Sequence, residues 1–295
     1  MGEITSIEWA DATWNPWVGC SKVSPGCDSC YMFAGMRRYG RDPEIVQRTK
    51  DATFYAPLKW GPRRIFTCSW SDFFHRQADP WREEAWDIMR RTPHLTYQVL
   101  TKRPGLAVDW YKKHGWLDNV WLGTSVESQK YAPRLDVLAR VPAKVRFVSC
   151  EPLLSPLDLM PYFYTCSGCG EKPCACKGLA LNWVIVGGES GPGARPMDLA
   201  WARDLVGQCQ AAGVACFIKQ LGSAPMSGLG DQDLYEELID LAQTPGGVRL
   251  SDRHDSTFRR DTDVRRLGHY LKFHDSKGGD PAEWPRDLRV REMPV

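Results

Sequence analysis

Between Arg64 and Gln220 this chain repeats one unit six times: a short apolar run closed by polar residues, in most cases followed by an amphipathic stretch. The runs are Arg64 to Cys68, Leu95 to Leu100, Val120 to Gly123, Val145 to Val148, Trp183 to Val186 and Ala215 to Ile218. Helical periodicity follows over 80–91, 106–114, 131–140 and 199–212, with an earlier helix over 30–39. Short apolar runs alternating with helices predict an α/β protein with a parallel sheet and helical crossovers. With a first strand closing at Thr13 and Trp14, the count predicts a full or partial barrel. Barrel enzymes build their sites at the C-terminal ends of the strands. Asp72, Lys102, Glu127, Glu151, Glu189 and Lys219 each stand at or just beyond such an end. One charged residue in a strand-end loop is ordinary surface chemistry; six in register point to a site.

The stretch Gly19 to Tyr31 would lie on that same edge. It holds Cys20, Cys27 and Cys30 within eleven residues, separated by Ser24, Pro25 and Gly26 rather than by an apolar face. Three thiolates can hold three irons of a [4Fe–4S] cluster and leave the fourth open to a ligand. A structural site would close with a fourth ligand, yet the next cysteine is Cys68 and the nearest histidine His75. A zinc loop completed by a distant residue, or three buried thiols without metal, are the plainer readings.

These residues resemble the radical SAM enzymes, whose usual motif is Cys-x3-Cys-x2-Cys; here the first gap is six residues, and the aromatic, Tyr31, follows the last cysteine. The wider set Trp14-Asn15-Pro16-Trp17, Ser71-Asp72-Phe73-Phe74-His75, Leu100 to Pro104, Gly123 to Glu127, Gly187 to Gly191 and Lys277 to Asp280 is similar to the phage Gp37/Gp68 family. That resemblance implies a partial (β/α)6 barrel, a [4Fe–4S] cluster on Cys20, Cys27 and Cys30, and S-adenosylmethionine as cofactor. It also implies a one-electron donor of reductase or flavodoxin type. Under it, Ser69, Ser71 and Asp72 are expected to receive the cofactor's amino group, and Lys102 or Arg103 its carboxylate. Ser125 and Glu127 would bind adenosyl hydroxyls, and Gly188 would line the adenine with Glu189 in a ribose- or substrate-facing loop. Glu127, Glu151 and Lys102 are the candidate catalytic groups, and His75 reads as structural. Phages modify their bases, so a DNA nucleobase, including a modified thymine, is the expected substrate, modified or rearranged by hydrogen abstraction.

Two stretches interrupt the rhythm. An insert at about 163–178 carries Cys166, Cys169, Cys174 and Cys176, four thiols within eleven residues, which suits a structural Zn2+; a second iron–sulfur cluster is the rival. The barrel is expected over 1–222 and a polar extension packed on it over 223–295, with a helix over 233–242. With seven of its 11 cysteines in two clusters and an acidic, leaderless start, the chain is expected in the cytoplasm, the host's if phage-encoded. No apolar run spans a membrane. A net charge of +2 neither demands nor forbids nucleic acid. The 13 tryptophans read as core, or as a stacking surface for bases. Two other functions compete: a zinc-dependent nucleic-acid-binding protein without radical chemistry, and a barrel hydrolase using Glu127 and Glu151 as acid and base.

Overall fold

The computed structural model describes residues 5, 7–163, 181–228, 249–251 and 268–294. Seven parallel strands form one sheet: β1 (Ala12–Trp14), β2 (Arg64–Thr67), β3 (Thr96–Thr101), β4 (Val120–Ser125), β5 (Arg146–Cys150), β6 (Trp183–Gly187) and β7 (Ala215–Gln220). Their order in the sheet is their order in the chain, and every neighbour pair is parallel. The sheet curls into a half-barrel. All five residues of β6 are buried, as expected of a strand covered on both faces.

The helices α1 (Tyr31–Arg38), α2 (Asp79–Arg91), α3 (Pro104–His114), α4 (Arg134–Leu138) and α5 (Leu199–Ala212) run between the strands. In α2, Ala85, Trp86, Ile88 and Met89 are buried on one stripe, with Asp79 in the first turn and Arg90 and Arg91 in the last. α3 opens on Pro104, whose missing N–H costs nothing there. α5 starts under Asp198, which accepts from Ala200 N at 2.9 Å, and stops at left-handed Gly213. The helix expected over 131–140 is broken: a 3-10 turn, Gln129–Tyr131, precedes the five-residue α4, with Pro133 between them.

The two faces of the sheet differ. One carries Ile65, Tyr97, Val99, Leu122, Val148, Val184 and Ile218 into the main core with the helices. The other carries Phe66, Phe147, Trp183, Ile185 and Phe217, which close on Trp9 and Ala10 as a second, aromatic cluster. Gly123 makes room for it, since a Cβ there would stand 2.3 Å from the Phe147 ring. Six of the 13 tryptophans are buried and the other seven half-buried, as the core reading expects of rings this large.

A four-stranded sheet, in the order Arg249–Ser251, Gly268–Lys272, Pro225–Gly228, Met197–Asp198, joins the start of the extension to the loop after β6. Residues 284–292 then return along β7: Ile218 N donates to Val290 O at 2.8 Å, Glu292 N to Cys216 O at 2.8 Å, and Trp284 is fully buried. The four cysteines of the insert, the helix expected over 233–242 and most of the tail's arginines lie outside the described residues. No helix among the described residues is long and apolar enough to cross a membrane.

Candidate active site

The cysteine loop follows β1 and lies against the C-terminal ends of the strands. Backbone bonds fix its start: Gly19 N donates to Trp70 O at 2.9 Å, Cys20 N to Pro43 O at 2.8 Å, and Ser71 Oγ to Gly19 O at 2.5 Å. Its middle turns through a short 3-10 segment, Pro25–Cys27, and its end caps α1 at Cys30. Burial pushes the Cys20 thiol up to about 11, Asp72 adds to this and Arg103 opposes it. Burial also raises Cys30, opposed by the Met32 and Phe33 amides at the start of α1. Cys27 lies within electrostatic reach of both. Among the described residues, no three His, Cys, Asp or Glu side chains are gathered as tightly as a metal's ligands. The donor set still suits a sulfur-preferring centre: three soft donors on one loop, neighboured by Lys102 and Arg103, whose charge favours thiolates.

Besides Ser71, other side chains of the rim reach this loop. Arg103, at the end of β3, donates Nη2 to Ser21 O and Oγ at 2.9 Å each, and Nη1 to Cys20 Sγ at 3.7 Å and Asp72 at 2.9 Å. His75 Nε2 is hydrogen-bonded to Ser21 Oγ at 3.0 Å, and burial followed by Arg103 lowers its basicity. Glu127 accepts from Ser24 Oγ at 2.7 Å. Arg195 donates to Pro25 O at 3.0 Å while it forks onto Glu189 at 2.6 and 2.9 Å. The contact is close enough that a Cβ on Gly26 would stand 2.4 Å from Glu127 Cγ.

Glu127 has no solvent exposure, pairs with Lys102, and takes Arg134 Nη1 at 3.1 Å. Burial alone would raise its carboxyl, but Lys102, Arg134 and Ser24 together hold it below the ordinary range. Glu189 is likewise held low by Arg195 against the effect of burial. The third pair is more open: Glu151 accepts from Lys219 Nζ at 2.6 Å and Gln220 Nε2 at 3.2 Å, with side chains 21% and 27% exposed.

Several expected roles meet groups already engaged within the protein. Asp72 accepts from Thr101 Oγ1 at 2.8 Å, Phe74 N at 2.9 Å, Lys102 N at 3.0 Å and Arg103, which fills its lone pairs. Arg103 is taken up by Asp72 and the loop, Ser69 Oγ by Asn15 at 3.0 Å, and Ser71 by Gly19. Gly188 N donates to Gln220 O at 3.0 Å. Ser125 is buried at the strand end, and its carbonyl accepts from Arg134 at 2.7 Å. Ser21, Ser24, His75, Arg134 and Arg195 complete the site, and none was assigned to it by its place in the sequence. Their contacts to the loop and rim span up to 170 positions, beyond the reach of local spacing.

A family model described as a protein of unknown function, DUF5131, matches residues 4–266, most of the chain. The chain belongs to that family. No curated protein matches it, and no solved structure does. The rim that the DUF5131 chain builds around three thiols is therefore read from its own geometry.

Proposed function

We propose that this protein is a radical S-adenosylmethionine enzyme, with Cys20, Cys27 and Cys30 as the ligands of a [4Fe–4S] cluster. One observation carries the reading: three thiols on one loop, following the first strand of a parallel half-barrel, are held against its C-terminal edge by Arg103, Glu127, His75 and Arg195. When bound, such a cluster supplies the electron that cleaves S-adenosylmethionine to a carbon radical able to take a hydrogen from a substrate. Arg103 orients Cys20 and favours its thiolate by charge. Lys102, Glu127 and Arg134 form a rigid triad beneath the loop, two cations on one carboxylate. The half-open Glu151 and Lys219 are the groups placed to meet a ligand and to hold or move a proton. Below them the aromatic cluster of Trp9, Phe147, Trp183 and Phe217 excludes water from that end of the half-barrel. The acid–base hydrolase reading is weaker, because Glu127 is inaccessible and charge-paired on both oxygens. For the substrate we carry forward a nucleobase, ahead of a small molecule or peptide.

Anaerobic reconstitution with iron and sulfide tests this. About four irons per chain and reductant-dependent release of 5′-deoxyadenosine are expected, both absent from a Cys20→Ser/Cys27→Ser/Cys30→Ser variant. Equal iron and equal cleavage in that variant would sink the proposal.

A further inference from the structure

A groove of about 540 Å³ opens beside the cysteine loop, lined by Arg76, Arg103, Lys112 and Arg140, with Asp109 its one acid and Leu106 among its apolar residues. It runs over α3, the helix that leaves the rim directly after Thr101, Lys102 and Arg103. Arg76, Lys112 and Arg140 are exposed, and none of their side chains has a hydrogen-bond or ion-pair partner among the described residues. Here three stand free around one concave surface, opposed by a single carboxylate.

We propose that this groove binds a polynucleotide strand through its phosphates. The spread of the free cations argues for a polymer over a small anion. Arg76 stands just before α2, Lys112 in the last turn of α3 and Arg140 just beyond α4, and a strand presents a charge about every 3.4 Å of duplex axis to meet them. Arg76 adjoins His75, which is bonded through Ser21 to Arg103, and so marks the end of the groove nearest the thiols. A strand lying there passes the mouth of the half-barrel, where a nucleotide leaving the stack could enter. Long flexible cations on an open surface hold a backbone without reading its sequence. Strand binding stands independently of the metal; that the bound strand is the substrate rests on the radical SAM reading.

The test is fluorescence anisotropy of a labelled single-stranded DNA of about twenty nucleotides, titrated with the full chain across a range of salt. An Arg76→Glu/Lys112→Glu/Arg140→Glu variant should bind at least roughly tenfold more weakly. Its log–log salt slope should be shallower by about 2, the value for three lost single-strand contacts. Arg37→Glu/Arg38→Glu/Arg41→Glu, the same charge change on exposed residues of α1 and its following loop, should keep most of the affinity. An equal loss in that control, or an unchanged slope in the groove variant, overturns the proposal. So does full competition by a mononucleotide, which would make the groove a single-phosphate site. The Cys20→Ser/Cys27→Ser/Cys30→Ser variant should bind the strand like the parent. Binding that survives there while cleavage of S-adenosylmethionine fails in the parent would refute the radical reading and leave the groove standing; loss of binding in the cysteine variant would refute the groove.

Discussion

Along the inner face of the sheet, Phe66, Phe147, Trp183 and Phe217 give way within a few residues to Ser125, Ser149, Glu151 and Lys219. Both sets belong to one sheet, and on β5 and β7 they share a strand, Phe147 with Ser149 and Phe217 with Lys219, so backbone geometry does not distinguish them. What differs is what closes over each end. The aromatic end is sealed by Trp9, Ala10 and the returning C-terminal segment, where Trp183 Nε1 donates to Glu292 O at 2.9 Å. The charged end is covered by a thiol loop that packs on Val18, Met32, Phe33 and Met36 and is tied to the strand ends by polar, directional bonds. Area-proportional burial tolerates imprecise geometry, whereas hydrogen bonds and ion pairs fix it. One end thus secures the fold and the other positions side chains, and each prediction below tries to break that division.

The largest stability effect is expected at the aromatic end. Trp183 is fully buried, meets Trp9, Trp121, Phe147 and Phe217 at ring-centroid distances of 5.7 to 6.5 Å, and loses its bond to Glu292 when truncated. Trp183→Ala should cost about 4 kcal/mol in urea unfolding. Iron uptake per folded chain should be unchanged, because nothing in that cluster touches the thiol loop. A loss under about 1 kcal/mol, or iron uptake falling in step, would mean that the two ends are not separable.

At the charged end, Glu127→Ala leaves Lys102 and Arg134 facing each other without a counter-charge, and frees Ser24 of the loop. We expect a cost of about 3 kcal/mol, in the range for removing one partner of a buried ion pair, together with poorer iron retention. The sign of the pH dependence follows from the depressed carboxyl. Its contribution is complete above the ordinary value of 4.5 and is lost as pH falls through the lower folded value. The gap between parent and variant should therefore be constant near neutrality and close only in acid, below about pH 4.5. A gap that widened in acid would contradict the assignment.

How much of this was legible beforehand depends on the range of the interaction. Strand starts follow from apolar runs, and the expected and observed starts differ by no more than one residue. Strand ends do not: the apolar runs stop at Gly123 and Val148, while the backbones of the polar or ambiguous Thr124, Ser125, Ser149 and Cys150 continue the ladder, Ser125 pairing with Ser149. The rim carboxylates were recognisable from their place after each run. Their partners were not, since Arg134 belongs to a helical stretch, Arg195 follows a Gly-Pro-Gly turn, and only folding brings them to Glu127 and Glu189. The resemblance implies ligand-binding roles for Asp72 and Arg103, where the fold joins them to each other and to the loop.

The smallest stability effect, and the sharpest test of the division, belongs to Glu151→Gln. Its side chain and that of Lys219 are each more than one-fifth exposed, so the pair is screened by water and contributes no more than about 1 kcal/mol. Gln preserves the shape beside Gly187, where a Cβ would stand 3.2 Å from the Glu151 carboxyl carbon, and it can still accept from Lys219 and Gln220. What it removes is the negative charge and the capacity to take a proton. Stability should therefore stay within about 0.5 kcal/mol of the parent, with iron content and strand binding unaltered, while product formation through a step that needs this proton transfer falls on the order of a hundredfold. Because the proposed cleavage of S-adenosylmethionine precedes that step, 5′-deoxyadenosine should still be released, uncoupled from product. If cleavage and product formation fall together, Glu151 belongs to cofactor binding; if neither changes, the half-open pair is an ordinary surface contact, and the charged end does less chemistry than its geometry invites.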